Sequence, residues 1–373
     1  MIGIGMHRTA SLGWLPIAGV LLVCPAWAQD AAPPAGEAQA IDEVRARALA
    51  AIKKRYPESE QTLVRRDAHA KAHGCVKASF EVDPALAPEL RVGTFSQPGQ
   101  RFKALIRFSN GAFEPGPDTG SDGRGMAIKI IDAEPQEKSA PRQRRPHDIL
   151  MINFPAFFSP DVADYKDFAQ SGALTGAGDG LRRYFVPGFN PLNWRVRQGY
   201  IAYSIASQKI SSPLAVRYFS MAPFGFGSGR AAKYSARPCA GSAATDTAAS
   251  AGPNFLGDTL RARLSSGSAC FELLVQERKP GMPLDDATVE WSETASPFRH
   301  VGKVEIPAQK IDAPGRAQTC ESLTFNPWNA PDEQRPLGGI NRVRKAVYDE
   351  ISRYRTQRNN VSPADPASVW DDF

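Results

Sequence analysis

The chain has 373 residues, with 45 Lys and Arg against 39 Asp and Glu, for a formal net charge of +6 at pH 7. Hydrophobic residues make up 42% and charged residues 23%, an ordinary globular balance that provides for a sizeable core and excludes a disordered or fibrous chain. The positive excess suits an anionic ligand or surface, but no nucleic-acid recognition motif accompanies it.

The N-terminus reads as an export signal. His7 and Arg8 precede an apolar run from Leu12 to Ala28, and Ala26-Trp27-Ala28 fits small-x-small cleavage after Ala28. The run is short for a membrane span, which needs ~20 apolar residues. A periplasmic or secreted protein is the expectation, with residues 1–28 removed. "LLVC" at Leu21–Cys24 only hints at a lipoprotein box, because Val23 is poor where a small residue is wanted. Removal of Cys24 leaves Cys75, Cys239, Cys270 and Cys320, an even number that permits either disulfides in three pairings or buried thiols. No CxxC occurs, which speaks against a zinc ribbon or a thioredoxin motif.

Residues 29–42 are rich in Ala and Pro and read as a flexible leader, so a single domain is expected over 43–373. "IDEVRARALAAIKKRY" (41–56) has helical apolar spacing. "RFKALIRFS" and "GMAIKIID" read as strands, and "DILMINFPAFF" (148–158) as a buried one. The polar stretch 133–147 reads as a loop that ends at His147. A helix start is expected at Ser159-Pro160. "AVRYFSMAPFGFG" and "AAKYSARPC" form a candidate strand pair. "ACFELLVQER" (269–278) and "HVGKVEIPAQ" (300–309) are two more strands. "GGINRVRKAVYDEISRYRTQRNN" (338–360) is a final helix. The simplest assembly is an α+β fold, an antiparallel β-barrel with flanking helices.

Two stretches carry chemistry. "RRDAHAKAHGC" (65–75) holds His69 and His73 four residues apart beside a cysteine, which could begin a metal site, yet no second ligand cluster completes it. On the final helix, Arg344 and Tyr348 are four apart and share a face. A guanidinium beside a phenolic oxygen suits that oxygen as an anionic ligand, and tyrosine is among the few axial ligands of haem iron. The bland alternative is a basic amphipathic helix with Tyr348 in the core.

Together these segments resemble the haem catalases and the shorter catalase-like haem proteins. "RRDAHAKAHG" is similar to the family's distal-histidine segment R-x-x-H-A-K. "IRFSNG" is similar to its R-F-S strand, and "GRGMAIKI" to R-G-F-A-x-K-F. "NFPAFF" is similar to N-T-P-x-F-F, and "SLTFNPWNAP" to A-F-N-P-S-N-x-x-P. "RKAVYDEISRYR" matches the proximal pattern R-x-x-x-Y-x-x-x-x-R-x-R. The matches run in the family's order from Arg66 to Arg355.

The resemblance implies a catalase-like barrel holding haem b, with Tyr348 as iron ligand and Arg344 as its partner. His69 would be the distal acid/base, oriented by Ser109. Arg66 and Arg107 would pair propionates, Phe157 would pack on the distal face, and Arg355 would stand beside the haem. The chain ends soon after the proximal helix, which implies the minimal branch without large C-terminal extensions. The partners implied are a peroxide or organic hydroperoxide and an electron donor, with no nucleic acid and no membrane span; a homo-oligomer is open.

One departure concerns catalysis. The ungapped match puts Ile152 where the family has its peroxide-orienting asparagine, with Asn153 next to it. Adjacent strand residues point to opposite faces, so Asn153 would reach a catalytic position only through a bulge. Ile152 implies weaker dismutation and a more apolar pocket that admits organic or lipid hydroperoxides. The activity expected is that of a peroxidase or weak catalase. Alternatives are an isomerase of fatty-acid hydroperoxides of the allene oxide synthase type, a haem binder without turnover, and a haem-free β-protein. His73 is expected at the surface or behind the site, and His300 in a structural role.

Overall fold

The computed structural model describes Met1 and residues 32–133, 145–176, 178–241 and 252–373. The expected signal segment with Cys24 and most of the polar loop before His147 lie outside these residues.

Helix α1 (Glu37–Arg55) buries Val44, Ala48, Ala51 and Ile52, one stripe at helical spacing. It begins inside the stretch expected to be flexible leader. Its first residue is anchored, because the Glu37 carboxylate takes two bonds from Arg342 at 2.5 and 2.9 Å.

Nine strands follow among the described residues: β1 (Ala72–Val82), β2 (Arg101–Asn110), β3 (Arg124–Ile130), β4 (His147–Ile152), β5 (Tyr218–Phe219), β6 (Phe224–Gly225), β7 (Ala231–Pro238), β8 (Ala269–Glu277) and β9 (Arg299–Ile306). Antiparallel pairing runs β5-β4-β3-β2-β1-β9-β8-β7, and a β5–β7 pairing closes the ring. The result is a closed eight-stranded barrel with β6 hanging on β7. Closure removes exposed sheet edges.

Alternation decides what fills the barrel. On β2, Phe102, Ala104, Ile106 and Phe108 join the central core, facing Ile130, Ile128 and Met126 of β3 from Ala104 onward. Each fully buried large apolar side chain there contributes roughly 1.5–3 kcal/mol. The intervening Leu105, Arg107 and Ser109 therefore point outward, as do Leu150 and Ile152, which alternate with the inward Ile149 and Met151 of β4.

Helices cover that outer face. They are α2 (Val162–Gln170), α3 (Gly180–Phe185), α4 (Val196–Ala206), α5 (Phe255–Ser266), α6 (Arg316–Ser322), α7 (Gly339–Arg358) and α8 (Pro366–Asp372). A second core joins α1, α2 and α7 through Val44, Ile52, Phe168, Val343 and Ile351. The start of α2 falls two residues later than expected, because the Asp161 carboxylate caps the Asp164 amide at 2.9 Å.

One histidine differs from expectation, and for another the structure selects between two. His147 is not a loop residue: it opens β4, is fully buried, and its Nδ1 meets Thr94 Oγ1 at 2.9 Å. His73 is buried rather than at the surface, at a bulge in β1, with Nε2 2.8 Å from Asn110 Oδ1. His300 pairs with Asp83 at 2.9 Å, a structural contact. The four cysteines are joined as Cys75–Cys320 and Cys239–Cys270, with Cα separations of 5.7 and 5.6 Å.

Candidate active site

Between the outward faces of β2, β3 and β4 and the inner stripe of α7 lies a cavity of about 430 Å³. Its lining is mostly apolar, and its size is that of a small-molecule site, roughly 300–1,000 Å³. From α7 come Ile340, Val343, Arg344, Val347, Tyr348 and Ile351, spaced three and four apart, so one helical face supplies them.

His69 enters from the irregular segment between α1 and β1. Its backbone is in the left-handed region, φ 57°, unusual outside glycine. Hydrogen bonds compensate: its amide donates to Gly111 O at 3.2 Å, and its carbonyl accepts from Arg107 at 2.9 Å. The imidazole Nδ1 lies 3.0 Å from Ser109 Oγ. Gly125 of β3 passes directly behind the ring; a Cβ there would fall 2.4 Å from Nδ1. Burial first, then the charges of Arg107, Arg344 and Arg66, push the His69 pKa down to about 4. The ring is therefore neutral at ordinary pH and able to take a proton.

Tyr348 lines the same cavity. Its phenolic oxygen accepts from Arg344 at 3.2 Å, and Arg344 is steadied by Asn341 Oδ1, also at 3.2 Å. Phe157 is in the wall beside Phe158 and Tyr165, with ring centroids 4.5 and 5.8 Å from its own.

Arg66, Arg107 and Arg355 converge on one carboxylate, Glu321 at the end of α6, with contacts of 2.8, 3.4 and 3.2 Å. Burial alone would raise the Glu321 pKa, but the three guanidiniums outweigh it and hold the carboxyl below its usual value. Burial likewise lowers Arg107 to about 9 and Arg355 to about 10. Within this cluster three guanidiniums face one carboxylate, an excess of two positive charges, with the buried Asp67 also acting on Arg355. Arg107 Nε is buried without a hydrogen-bond partner.

Asn153 is not in the wall. The β3–β4 register is regular, with Gly125 opposite Ile152, so no bulge re-aims it. Its Oδ1 accepts from the Arg124 amide at 2.8 Å and its Nδ2 donates to Ile205 O at 3.3 Å, an engagement with backbone that corrects its expected catalytic role. Ile152 is the residue that faces the cavity. His73 also lies outside it, in a network with Asn110 and Asp118. Among the described residues, no group of three or more His, Cys, Asp or Glu could hold a metal ion.

Glu321 and Gly125 are the functional neighbours that sequence reasoning missed. The surplus of arginines over acids among the candidates was a signal for Glu321; the closeness of Gly125 to an imidazole more than 50 positions away had none. A buried pair, Lys129 and Asp148 at 2.5 and 2.7 Å, braces the wall from behind. Asp148 also accepts from the Asn326 amide and Asn329 Nδ2 at 2.9 and 2.8 Å, fixing the segment that brings Thr324 and Phe325 to the cavity.

Comparison with known proteins gives concordant findings. Residues 50–175 match the Catalase family model; Arg66, His69, Arg107, Ser109 and Phe157 fall inside that match, and Arg344, Tyr348 and Arg355 outside it. Catalase C of Rhizobium meliloti is 34% identical over 107 residues, 28% of this chain and 14% of that protein. A catalase-related peroxidase of Mycolicibacterium paratuberculosis is 28% identical over 274 residues, 72% of this chain and 82% of the relative. Catalase A from Saccharomyces cerevisiae superposes with a TM-score of 0.62 at 17% identity, covering 83% of this chain and 66% of that one. Residues 50–175 are thus similar to the Catalase family, and the closed barrel with its surrounding helices is the fold seen in solved catalases.

Proposed function

We propose that the protein is an exported, haem-dependent enzyme acting on peroxides, a peroxidase or weak catalase. The observation that carries this reading is the pairing, in one cavity, of a neutral buried histidine held by Ser109 with a tyrosine oxygen held by Arg344. The residues fit haem b on this chain's own features. The cavity is lined largely by Phe, Ile and Val side chains, and Tyr348 offers an oxygen of the kind iron accepts. The two surplus positive charges and the orphaned Arg107 Nε match two ring carboxylates. Tyr348 would hold the iron, and Arg66, Arg107 and Arg355 the carboxylates. When bound, haem would supply the redox chemistry that breaks the peroxide O–O bond.

The chain's own part is acid–base and positional. With Nδ1–H donated to Ser109 Oγ, His69 keeps a free lone pair on Nε2. That atom takes a proton from one peroxide oxygen and returns it to the departing oxygen. Ser109 and Gly125 keep the ring in register. Ile152 offers no hydrogen bond to a second peroxide, which favours reduction by an external electron donor over dismutation. The apolar lining favours organic hydroperoxides. The apolar run Leu12–Ala28 and the two cystines support an oxidising, exported location.

The test is a hemin titration followed by peroxide assays. The holoprotein is expected to show a Soret band, altered in Tyr348→Phe, and to oxidise donors with peroxide at a rate that His69→Ala strongly reduces. Absence of a Soret band in the wild type would remove the whole reading. A Soret band with no turnover of any peroxide would leave a haem binder.

A further inference from the structure

Seven of the ten exposed large apolar side chains among the described residues lie between 181 and 203. Phe189 and Leu192 stand fully in solvent, 102% and 91% exposed, and Trp194 follows them. This is not a frayed loop. Trp194 Nε1 donates to Gly188 O at 3.2 Å, Asn190 caps the Leu192 amide at 3.1 Å, and Arg195 ties the loop to Asp164 and Asp167 at 3.0 and 2.7 Å. The fold thus holds these side chains outward. On α4, Val196, Tyr200 and Tyr203 continue the exposed stripe at i, i+4, i+7. The opposite face of the same helix gives Ala202, Ile205 and Ala206 to the cavity. Leu181 both lines the cavity and is half exposed, so the cavity reaches the surface at this patch.

Charge selects the occupant. Residues 180–210 contain five Lys and Arg and no Asp or Glu. Arg195 is matched by Asp164 and Asp167, and Arg183 by Asp179. Arg182, Arg197 and Lys209 pair with no carboxylate among the described residues, and Arg197 donates to Thr288 O at 3.1 Å. A second copy docking through the same patch would set these three cations against themselves. A nearby anionic layer over an apolar interior satisfies both features at once. Tyr and Trp settle at its headgroup level, Phe and Leu enter below, and Arg and Lys reach the phosphates.

We propose that residues 181–203 form a membrane-docking surface that seats the protein on an anionic lipid bilayer, with the cavity opening beside it to receive acyl hydroperoxides. The docking stands on the surface alone; the substrate class rests on the peroxide-acting reading.

The experiment is co-sedimentation of the full chain, with and without hemin, with phosphatidylcholine vesicles containing or lacking phosphatidylglycerol. All variants share the same N-terminal residues, so the leader contributes equally. Wild type is expected to bind the phosphatidylglycerol vesicles more tightly, less so at high salt. Phe189→Ser with Leu192→Ser should weaken partitioning by roughly tenfold or more per residue. Arg182→Gln with Lys209→Gln should weaken it roughly fivefold per charge. In the holoenzyme the apolar pair of changes should depress turnover of a vesicle-borne phospholipid hydroperoxide and spare that of a water-soluble one. Equal or no binding to the two vesicle types overturns the docking. So does a wild-type dimer that these substitutions convert to monomer without any change in vesicle binding. A holoprotein that turns over no peroxide yet keeps selective vesicle binding loses the enzymatic reading and the substrate class while the docking surface stands.

Discussion

Gly125→Ala probes how closely His69 is held. Gly125 sits in regular β3 backbone outside the positive-φ glycines, so alanine suits the chain itself and the effect comes from one methyl group. An ideal Cβ there lies 2.4 Å from His69 Nδ1, 2.5 Å from Cε1 and 2.9 Å from Ser109 Oγ. Ordinary contact begins near 3.4 Å, so the imidazole must recede by about 1 Å, and a displacement of that size at a reacting group costs on the order of 100-fold in rate. The 3.0 Å bond to Ser109 opens in the process. Overpacking costs stability as well, about 1–3 kcal/mol. The assay is kcat for peroxide-dependent donor oxidation by the hemin-loaded variant, alongside its hemin titration and thermal melt. The expected result is a large loss in kcat with hemin affinity little changed, since Tyr348, Arg344 and the Glu321 cluster lie on other elements. An unchanged kcat in a folded variant would falsify the argument that Gly125 sets the position of the ring.

Ile152→Asn should raise oxygen evolution from hydrogen peroxide relative to donor oxidation, because the cavity-facing position regains a hydrogen-bonding group; no gain would mean that another feature limits dismutation. Lys129→Met should destabilise the fold by about 3–5 kcal/mol, the cost of leaving Asp148 buried without its cation; a denaturation midpoint equal to the parent's refutes this. The pH dependence of kcat/KM should show no histidine ionisation near 6.5, with the fall from the basic form of His69 coming only near pH 4. Stability should respond differently. His147, buried without a charged partner, has its pKa lowered to about 3. The unfolded chain takes up the proton near pH 6.5 while the native chain does not, so stability falls as pH drops below 6.5, by roughly 1.4 kcal/mol per pH unit at most. Melts of His147→Asn between pH 7 and 4.5 should show a shallower slope.

Much of the fold was legible because its signals are local. The alternation in "RFKALIRFS" marks β2 and also assigns Phe102 and Phe108 to the core and Arg107 and Ser109 to the opposite face. The three-and-four spacing of Arg344, Tyr348, Ile351 and Arg355 marks one side of α7. Strand β1 went unrecognised because its bulge at His73 interrupts the period at the point where the histidine motif draws attention. Helices α3, α4, α5, α6 and α8 went unrecognised as well, and α4 lacks the usual cue, since its exposed face is itself apolar.

By itself the sequence determined which side chains could do chemistry and on which face of a strand or helix each would stand, since the periods of 2.0 and 3.6 are properties of the backbone. Only the tertiary structure decided which faces meet. It joined Arg66, Arg107 and Arg355 on Glu321, paired Cys75 with Cys320 across 245 positions, and brought Gly125 against His69. It also withdrew Asn153 from the cavity and left Ile152 there. The reason is physical: these contacts depend on barrel closure and strand register, which are set by the packing of the whole core and leave no mark in any one segment.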